Sequence, residues 1–178
     1  MYDVDLHDDS SIDYGHLYMD GLSHWKCSDK HDQIYMVSFD WSNEIFCATL
    51  VPPNMNSYGY ESYDCLWVSS DLVLLNGSIA LILTYKDTAT LHISILGELG
   101  VKESWTKIFI VGPLTCLVYP IGAGNKGDIL FRKKKDGELA WLDLNTQKIK
   151  DLGVKTAEFR CKIIVHKENL LPFEGESI

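Results

Sequence analysis

The chain has 178 residues, of which 46% are hydrophobic, and carries a net charge of −9. This length suits one domain with a substantial core, and the apolar content argues against disorder. No apolar run approaches the roughly 20 residues that a membrane helix requires. The acidic start MYDVDLHDD also lacks the basic and then apolar character of a secretory signal. We therefore expect a soluble protein of the cytoplasm or nucleus.

Charge is spread unevenly along the chain. Residues 1–20 hold six Asp and no Lys or Arg, whereas residues 126–167 hold eleven Lys or Arg against six Asp or Glu. The negative total argues against general nucleic-acid binding, because phosphate contacts need a positive surface. The basic segment could still form a local partner surface. We divide the chain into an acidic N-terminal segment (1–14), one domain (15–165) and a C-terminal tail (166–178).

Five cysteines lie far apart in the sequence, and no two of them form a CxxC pair. They are Cys27, Cys47, Cys65, Cys116 and Cys161. An odd count without close spacing predicts reduced, mostly buried thiols. Structural zinc sites usually draw their ligands from closely spaced pairs, so the pattern argues against one.

The chain contains a weak internal repeat, taken here in chain order. Each unit begins with a glycine at a strand start, namely Gly21, Gly77 and Gly127. A second apolar strand follows in each unit, at 34–40 (IYMVSFD), 90–96 (TLHISIL) and 138–144 (ELAWLDL). After a short polar turn comes a third strand, at 44–50 (EIFCATL), 104–111 (SWTKIFIV) and 148–154 (KIKDLGV).

The glycines are 56 and 50 residues apart, which is close to the repeat of roughly 50 residues in kelch-type blades. No segment of 12 or more residues keeps a helical stripe between the turns. The sequence therefore predicts an all-β fold, a partial (open) kelch-like β-propeller of antiparallel blades. Because closed propellers usually have about 4 to 8 blades, three blades leave an exposed edge strand and a tendency to self-associate.

Turn residues support this interpretation. Asn76-Gly77 and Asp136-Gly137 are dipeptides that favour positive φ. The segments 40–44 and 143–147 join the second and third strands, and each begins with an Asp that can accept backbone N–H bonds across a tight turn. The segment 97–104 (GELGVKES) is the longer third version of this turn.

The tryptophans are expected to pack the blades together. Trp105 follows the longest of these turns, and we expect it to be the anchor that packs on the neighbouring blade. Trp25 and Trp141 should also be largely buried. Trp41 and Trp67 are assigned related packing roles.

Two motifs suggest nucleotide or phosphate binding. Residues 122–127 spell GxGxxG, but dinucleotide binding requires this loop to open a helix. A strand follows instead, which favours a glycine-rich loop between blades. The run RKKK (132–135) could be a nuclear-import or phosphate patch. It precedes Asp136-Gly137, so a solvated hairpin tip is the simpler interpretation.

Other residues suggest metal binding, catalysis or glycosylation. Neither DVDLHDD nor HDQIY with Asp29 and Asp32 fits the calcium-loop pattern. His24 lies in a strand, without a serine, cysteine or acid at a recognisable spacing, and is interpreted as a core histidine. Asn76-Gly77-Ser78 reads as a glycosylation sequon but is interpreted as a turn. We therefore assign no catalytic, cofactor-binding or metal-ligating residue, and no cofactor.

Several motifs occur in an order that resembles the F-box-associated domain of plant F-box proteins, the group with F-box/kelch-repeat and S-locus F-box proteins. They are YMDGLSHW (18–25), IYMVSFDWSNEIF (34–46), Pro52-Pro53, LLNGSIAL (74–81), GVKESWTKIF (100–109), GDILF (127–131) and LDLNTQKIKDLGV (142–154). The resemblance covers about residues 15–155. Each motif alone matches the family only weakly, and it is the order of the motifs along the chain that makes the match specific.

This resemblance implies a protein-interaction domain, not an enzyme, that recruits substrates to an SCF-type E3 ubiquitin ligase. The partner would be the target protein to be ubiquitinated, and the SCF adaptor would bind only if an F-box is present. The chain departs from the family because no F-box helices or opening blades precede residue 15, so a truncated form is expected. Residues 96–99 (LGEL) also replace a family aromatic. Neither the target nor the residues that bind it follow from the sequence.

Two other functions are compatible with the sequence. One is an enzyme built on a propeller, which would need clustered carboxylates or metal ligands near the axis, and the spacing here does not supply them. The other is a non-functional truncated copy.

Overall fold

The structure, a computed structural model, describes residues 16–29, 33–52, 68–85, 87–124 and 126–156. Within these ranges the chain forms three four-stranded antiparallel sheets. No α-helix occurs in the described ranges, and residues Lys102–Ser104 form a single 3-10 turn. The all-β prediction is confirmed.

Each sheet is a meander, in which strands that follow one another in the chain are also neighbours in the sheet. The first sheet contains β1 (Leu17–Met19), β2 (Leu22–Ser28), β3 (Ile34–Asp40) and β4 (Ile45–Leu50). The second contains β5 (Val68–Leu75), β6 (Ser78–Tyr85), β7 (Thr90–Leu96) and β8 (Trp105–Val111). The third contains β9 (Leu117–Ala123), β10 (Asp128–Lys133), β11 (Glu138–Asp143) and β12 (Ile149–Lys155).

The turn between the first two strands of each sheet contains a glycine with positive φ. The angles are 82° at Gly21, 77° at Gly77 and 78° at Gly127. In the first two sheets the residue before the glycine, Asp20 or Asn76, also has a positive φ, of 49° or 50°. Two positive φ values in a two-residue loop define the type I′ turn, whose twist matches that of the strands. Each repeat glycine thus lies after the first strand of its sheet (β1, β5 or β9). This strand precedes the three strands of each sequence repeat, so each sheet has four strands.

Two of the turns between second and third strands are held by an aspartate, as predicted. Asp40 Oδ1 accepts hydrogen bonds from the backbone N–H groups two and three residues later, at 2.8 and 3.1 Å. Asp143 Oδ1 does the same at 2.8 and 2.9 Å. The hydrogen bond from the Asn43 side chain is the main cause that lowers the pKa of Asp40, and the backbone hydrogen bonds contribute less. The backbone hydrogen bond from Thr146 is the main cause that lowers the pKa of Asp143. The two turns are therefore structurally equivalent.

Apolar cores join the three sheets face to face. The core between the first and second sheets contains Ile34, Met36, Val51, Leu72, Ile79, Leu81, Leu83, Leu96 and Trp105. The core between the second and third sheets contains Val73, Leu75, Ala80, Ile82, Leu91, Ile93, Val111, Ala123, Ile129, Phe131, Leu142 and Leu144. The second sheet therefore lies between the other two and contributes one face to each core.

Trp105 packs in the core between the first and second sheets and is only 6% exposed. The segment 97–104 that precedes it also reaches the first sheet, because Gly100 N–H donates to Thr49 Oγ1 at 2.8 Å. Farther along this interface, Lys26 Nζ donates to the carbonyl and the hydroxyl of Ser70, both at 2.7 Å. The prediction that Trp105 packs on a neighbouring sheet is confirmed.

The other tryptophans differ from Trp105 in burial. Trp25 and Trp141 are only partly buried. Trp41 is 61% exposed, so the packing role predicted for it between blades is wrong. Trp67 lies outside the described residues.

Replacing Trp105 by Ala should lower the free energy of unfolding by about 3–5 kcal/mol, because it removes a large buried side chain from a core shared by two sheets. The matched control is Trp41→Ala, which should cost under about 1 kcal/mol because Trp41 is mostly exposed. Urea denaturation followed by circular dichroism measures both. Equal losses for the two variants would contradict this packing.

Candidate functional site

The motifs that suggested nucleotide or phosphate binding lie in strands and turns. Gly122 and Ala123 end β9, and the last glycine of the motif, Gly127, immediately precedes β10, so among the described residues the motif leads into a strand and not into a helix. In the RKKK run, Arg132 and Lys133 end β10, and Lys134 and Lys135 lie exposed in the following turn. Lys133 Nζ pairs with Glu138 Oε2 at 3.1 Å and is thus held within the hairpin. The interpretation as a solvated hairpin tip is confirmed for Lys134 and Lys135, whereas Arg132 and Lys133 are partly buried at the end of β10.

Some residues of the metal and thiol predictions lie within the described ranges, and others lie outside them. DVDLHDD and Asp32 lie outside the described residues, as do Cys65 and Cys161. Among the residues that the structure describes, no group of three or more His, Cys, Asp or Glu side chains could hold a metal ion. The described cysteines are Cys27, Cys47 and Cys116, which are free. Cys116 is exposed, so the expected burial is wrong there.

His24 lies in the interior on the side of the first sheet that faces the second. It has no exposed surface, and its Nδ1 is 2.8 Å from Ser38 Oγ on the neighbouring strand. Burial is the main cause that lowers the pKa of His24, and the charge of His16 adds to it. The interpretation of His24 as a core histidine is confirmed.

The opposite face of the first sheet carries a cluster of aromatic side chains. We call Tyr18, Trp25, Phe39, Trp41 and Phe46 the aromatic surface. The strand register places Tyr18, Phe39 and Phe46 on one face, since Ser23 pairs with both Tyr18 and Phe39, and Phe39 pairs with Phe46. Ring centroids are 4.7 Å apart for Phe39 and Phe46, and 6.1 Å apart for Trp25 and Phe46.

Trp41 belongs to the turn between β3 and β4, and three contacts fix its position. Its indole Nε1–H donates to Ser23 Oγ at 2.8 Å, and its backbone N–H donates to the carbonyl of Gly21 at 3.3 Å. Its ring lies edge-on to Phe39, with centroids 5.0 Å apart and an interplanar angle of 85°. The indole is therefore held in place although it lies at the surface.

The aromatic surface is open to solvent. Tyr18 is 56% exposed, Trp41 61% and Phe46 66%. Trp105 pairs with Leu96 in the second sheet, and this pair is equivalent to Phe46 and Phe39 in the first sheet. Trp105 is nevertheless buried. The difference arises because Trp105 faces the first sheet, whereas no sheet of the described ranges packs on the aromatic surface.

Carboxylates border the aromatic surface. Asp20 lies in the turn between β1 and β2, and Asp40 and Glu44 bound the turn between β3 and β4. The hydrogen bond from Trp41 to Gly21 brings these two turns together. The described residues of the first sheet, 16–29 and 33–52, contain four Asp or Glu and one Lys. This end of the molecule is therefore acidic as well as aromatic.

The third sheet has the opposite charge. Residues 126–156 contain eight Lys or Arg against five Asp or Glu. The described part of the basic segment, 126–156, thus belongs to the sheet that lies two sheets away from the aromatic surface.

The sequence contains a signal for this surface. Four large apolar residues, Phe39, Trp41, Ile45 and Phe46, flank a tight polar turn. Trp41 and Ile45 lie beside or within the turn, where apolar side chains are usually exposed. An apolar cluster around a turn is a sign of a surface patch.

No family model matches the chain, and neither a curated protein nor a solved structure matches it. Within the part of the chain that the structure describes, no helix is long and apolar enough to cross a membrane.

Stability should depend on pH through His24. Because its pKa is lowered from the ordinary value of 6.5 in the folded state, the unfolded state binds more protons below about pH 6.5. The contribution of neutral His24 is therefore present above this pH and is lost as the pH falls towards the folded-state pKa. Urea denaturation between about pH 5 and pH 8 should show that the free energy of unfolding decreases as the pH is lowered below about 6.5.

The variant His24→Gln should lose most of this pH dependence. The control is His92→Gln. Burial is also the main cause that lowers the pKa of His92, but this side chain is partly exposed, unlike that of His24. The control should keep the greater part of the slope. A slope that is the same in the wild type and in His24→Gln would contradict the assignment.

Proposed function

We propose that the chain is a protein-interaction domain and that the aromatic surface is its contact region for a partner protein. The observation that carries this proposal is the exposure of Tyr18, Trp41 and Phe46 on one sheet face. Contiguous exposed apolar patches mark interaction sites on soluble proteins. Trp and Tyr are also the residues that most often dominate binding energy at protein interfaces.

The finer architecture that we propose is an open kelch-like propeller with the three sheets as its blades. Each sheet is a four-stranded antiparallel meander, which is the usual form of a blade. Sheets that follow one another in the chain pack face to face. The first strands of neighbouring sheets, β1 with β5 and β5 with β9, also contact each other. This is the arrangement expected if the first strand of each blade lies nearest the propeller axis.

The specific role that we propose is substrate recruitment for an SCF-type E3 ubiquitin ligase. Its support is the resemblance of residues 15–155 to the F-box-associated domain, together with the exposed contact surface. In this role the aromatic surface would bind the protein to be ubiquitinated. Adaptor binding would require an F-box joined to this domain.

Co-precipitation with the ligase adaptor tests this role. The chain of residues 1–178 should fail to capture the adaptor, whereas the same chain with an F-box added at its N-terminus should capture it, because the F-box is the adaptor-docking element. A chain with a scrambled F-box of equal length is the control. Robust capture by the chain without an F-box would contradict the proposed role.

A further inference from the structure

We infer that the aromatic surface binds a cationic segment of its partner protein, with Arg or Lys side chains placed against Trp41 and Phe46. This inference rests on the proposed function, because it specifies the chemistry of the same contact region. It depends on the ring geometry, the charges around the rings, and the difference between this face and the faces that pack on other sheets.

The first support is the geometry of Trp41. Its edge-on contact with Phe39 and its hydrogen bond to Ser23 hold the indole at the surface, where the side chain remains 61% exposed. Indole is the side-chain ring that attracts a cation most strongly. Since the ring is already fixed, a bound cation would not have to immobilise it, and such preorganisation favours affinity.

The second support is the charge around the rings. The two turns that meet beside Trp41 contain Asp20 and Glu44, and neither turn contains a Lys or Arg. The one lysine among the described residues of this sheet, Lys26, donates to Ser70 on the side of the second sheet. Carboxylates beside exposed rings favour a positive partner and disfavour a negative one.

The third support is a comparison with the second sheet. The residues two and four positions after the turn glycine are Ile79 and Leu81 in that sheet, and both lie in the core against the first sheet. The equivalent residues in the first sheet are Ser23 and Trp25. Ile79 and Leu81 present only aliphatic groups to the first sheet, whereas the Ser23 hydroxyl is buried and accepts the hydrogen bond of the Trp41 indole, and Trp25 lies half-buried and edge-on to Phe46. The equivalent face of the first sheet is therefore organised around exposed rings held by polar and aromatic contacts, and not around the aliphatic side chains that join two sheets.

A second copy of the chain is the main competing occupant, because its third sheet is itself basic. Binding of synthetic peptides separates the two. The probes are three fluorescently labelled peptides of equal length, one rich in Arg and Lys, one with every Arg and Lys replaced by Gln, and one with Glu at those positions. Fluorescence anisotropy measures their binding to the full chain, and sedimentation measures self-association at the same protein concentrations.

The basic peptide should bind at least about tenfold more tightly than the Gln peptide, and the Glu peptide should bind least. Trp41→Ala should weaken binding of the basic peptide about tenfold, and Phe46→Ala should weaken it less. The matched control is Ile110→Ala, which changes a 57% exposed apolar residue of the second sheet and should leave binding unchanged. Circular dichroism melting establishes that each variant is folded.

Charge variants give an independent test. Glu44→Lys should weaken binding of the basic peptide, whereas Glu103→Lys, at an exposed glutamate of the 3-10 turn between β7 and β8, should have a much smaller effect. The effect of Glu44→Lys should decrease as salt increases, because salt screens the interaction of exposed charges.

Three results would overturn the inference. If the basic and Gln peptides bind equally and Trp41→Ala weakens the binding of both, the cationic partner is rejected. The aromatic surface would then still be a protein-binding surface, as the proposed function requires. Self-association that Trp41→Ala abolishes, without binding of the basic peptide, would identify a second copy as the occupant. Absence of binding by all three peptides, without self-association, would reject the inference, while the adaptor experiment would still test the proposed function.

Discussion

Burial of the second sheet on both faces is the constraint on which the rest of the structure depends. In β6 the six consecutive residues from Ile79 to Thr84 are all buried. Because successive residues of a strand point to opposite faces, such a run requires a neighbour on each side of the sheet. The first and third sheets are these neighbours, and each contributes an apolar face to the second. The order of the three sheets in space therefore follows from the packing requirement of the middle one.

The first and third sheets consequently have one face each that does not contact the second sheet, and their chemistry differs. On the first sheet this face carries fixed aromatic rings, and the turns that meet beside them contain Asp20 and Glu44. On the third sheet this face carries a separate apolar cluster of Ile121, Leu130 and Leu139, and the sheet as a whole has an excess of Lys and Arg in its described residues. Separation of charge between two ends of a molecule can orient an approaching charged partner before contact. If the function proposed above holds, the acidic, aromatic end would attract a partner of the opposite charge to one attracted by the basic end.

Much of the fold could be predicted because its signals are local. Strands at 34–40 and 90–96 were predicted with the same bounds that the structure has, since each is bounded by turn residues and rich in β-branched and aromatic side chains. The turns held by Asp40 and Asp143 were predictable because an Asp side chain reaches the N–H groups only two or three residues away. Positive φ at the repeat glycines has the same local origin.

The sequence by itself determined the strands, their turns and the repeat, whereas the tertiary structure decided which aromatic residues are buried. Phe46 and Trp105 occupy equivalent positions at the start of a fourth strand, opposite Phe39 and Leu96. Phe46 is 66% exposed and Trp105 is 6% exposed. Both are large apolar residues in a strand, so residue type and strand position predict burial for both. Their exposure differs because a second sheet lies on one face and not on the other, and this depends on residues that are distant in the sequence.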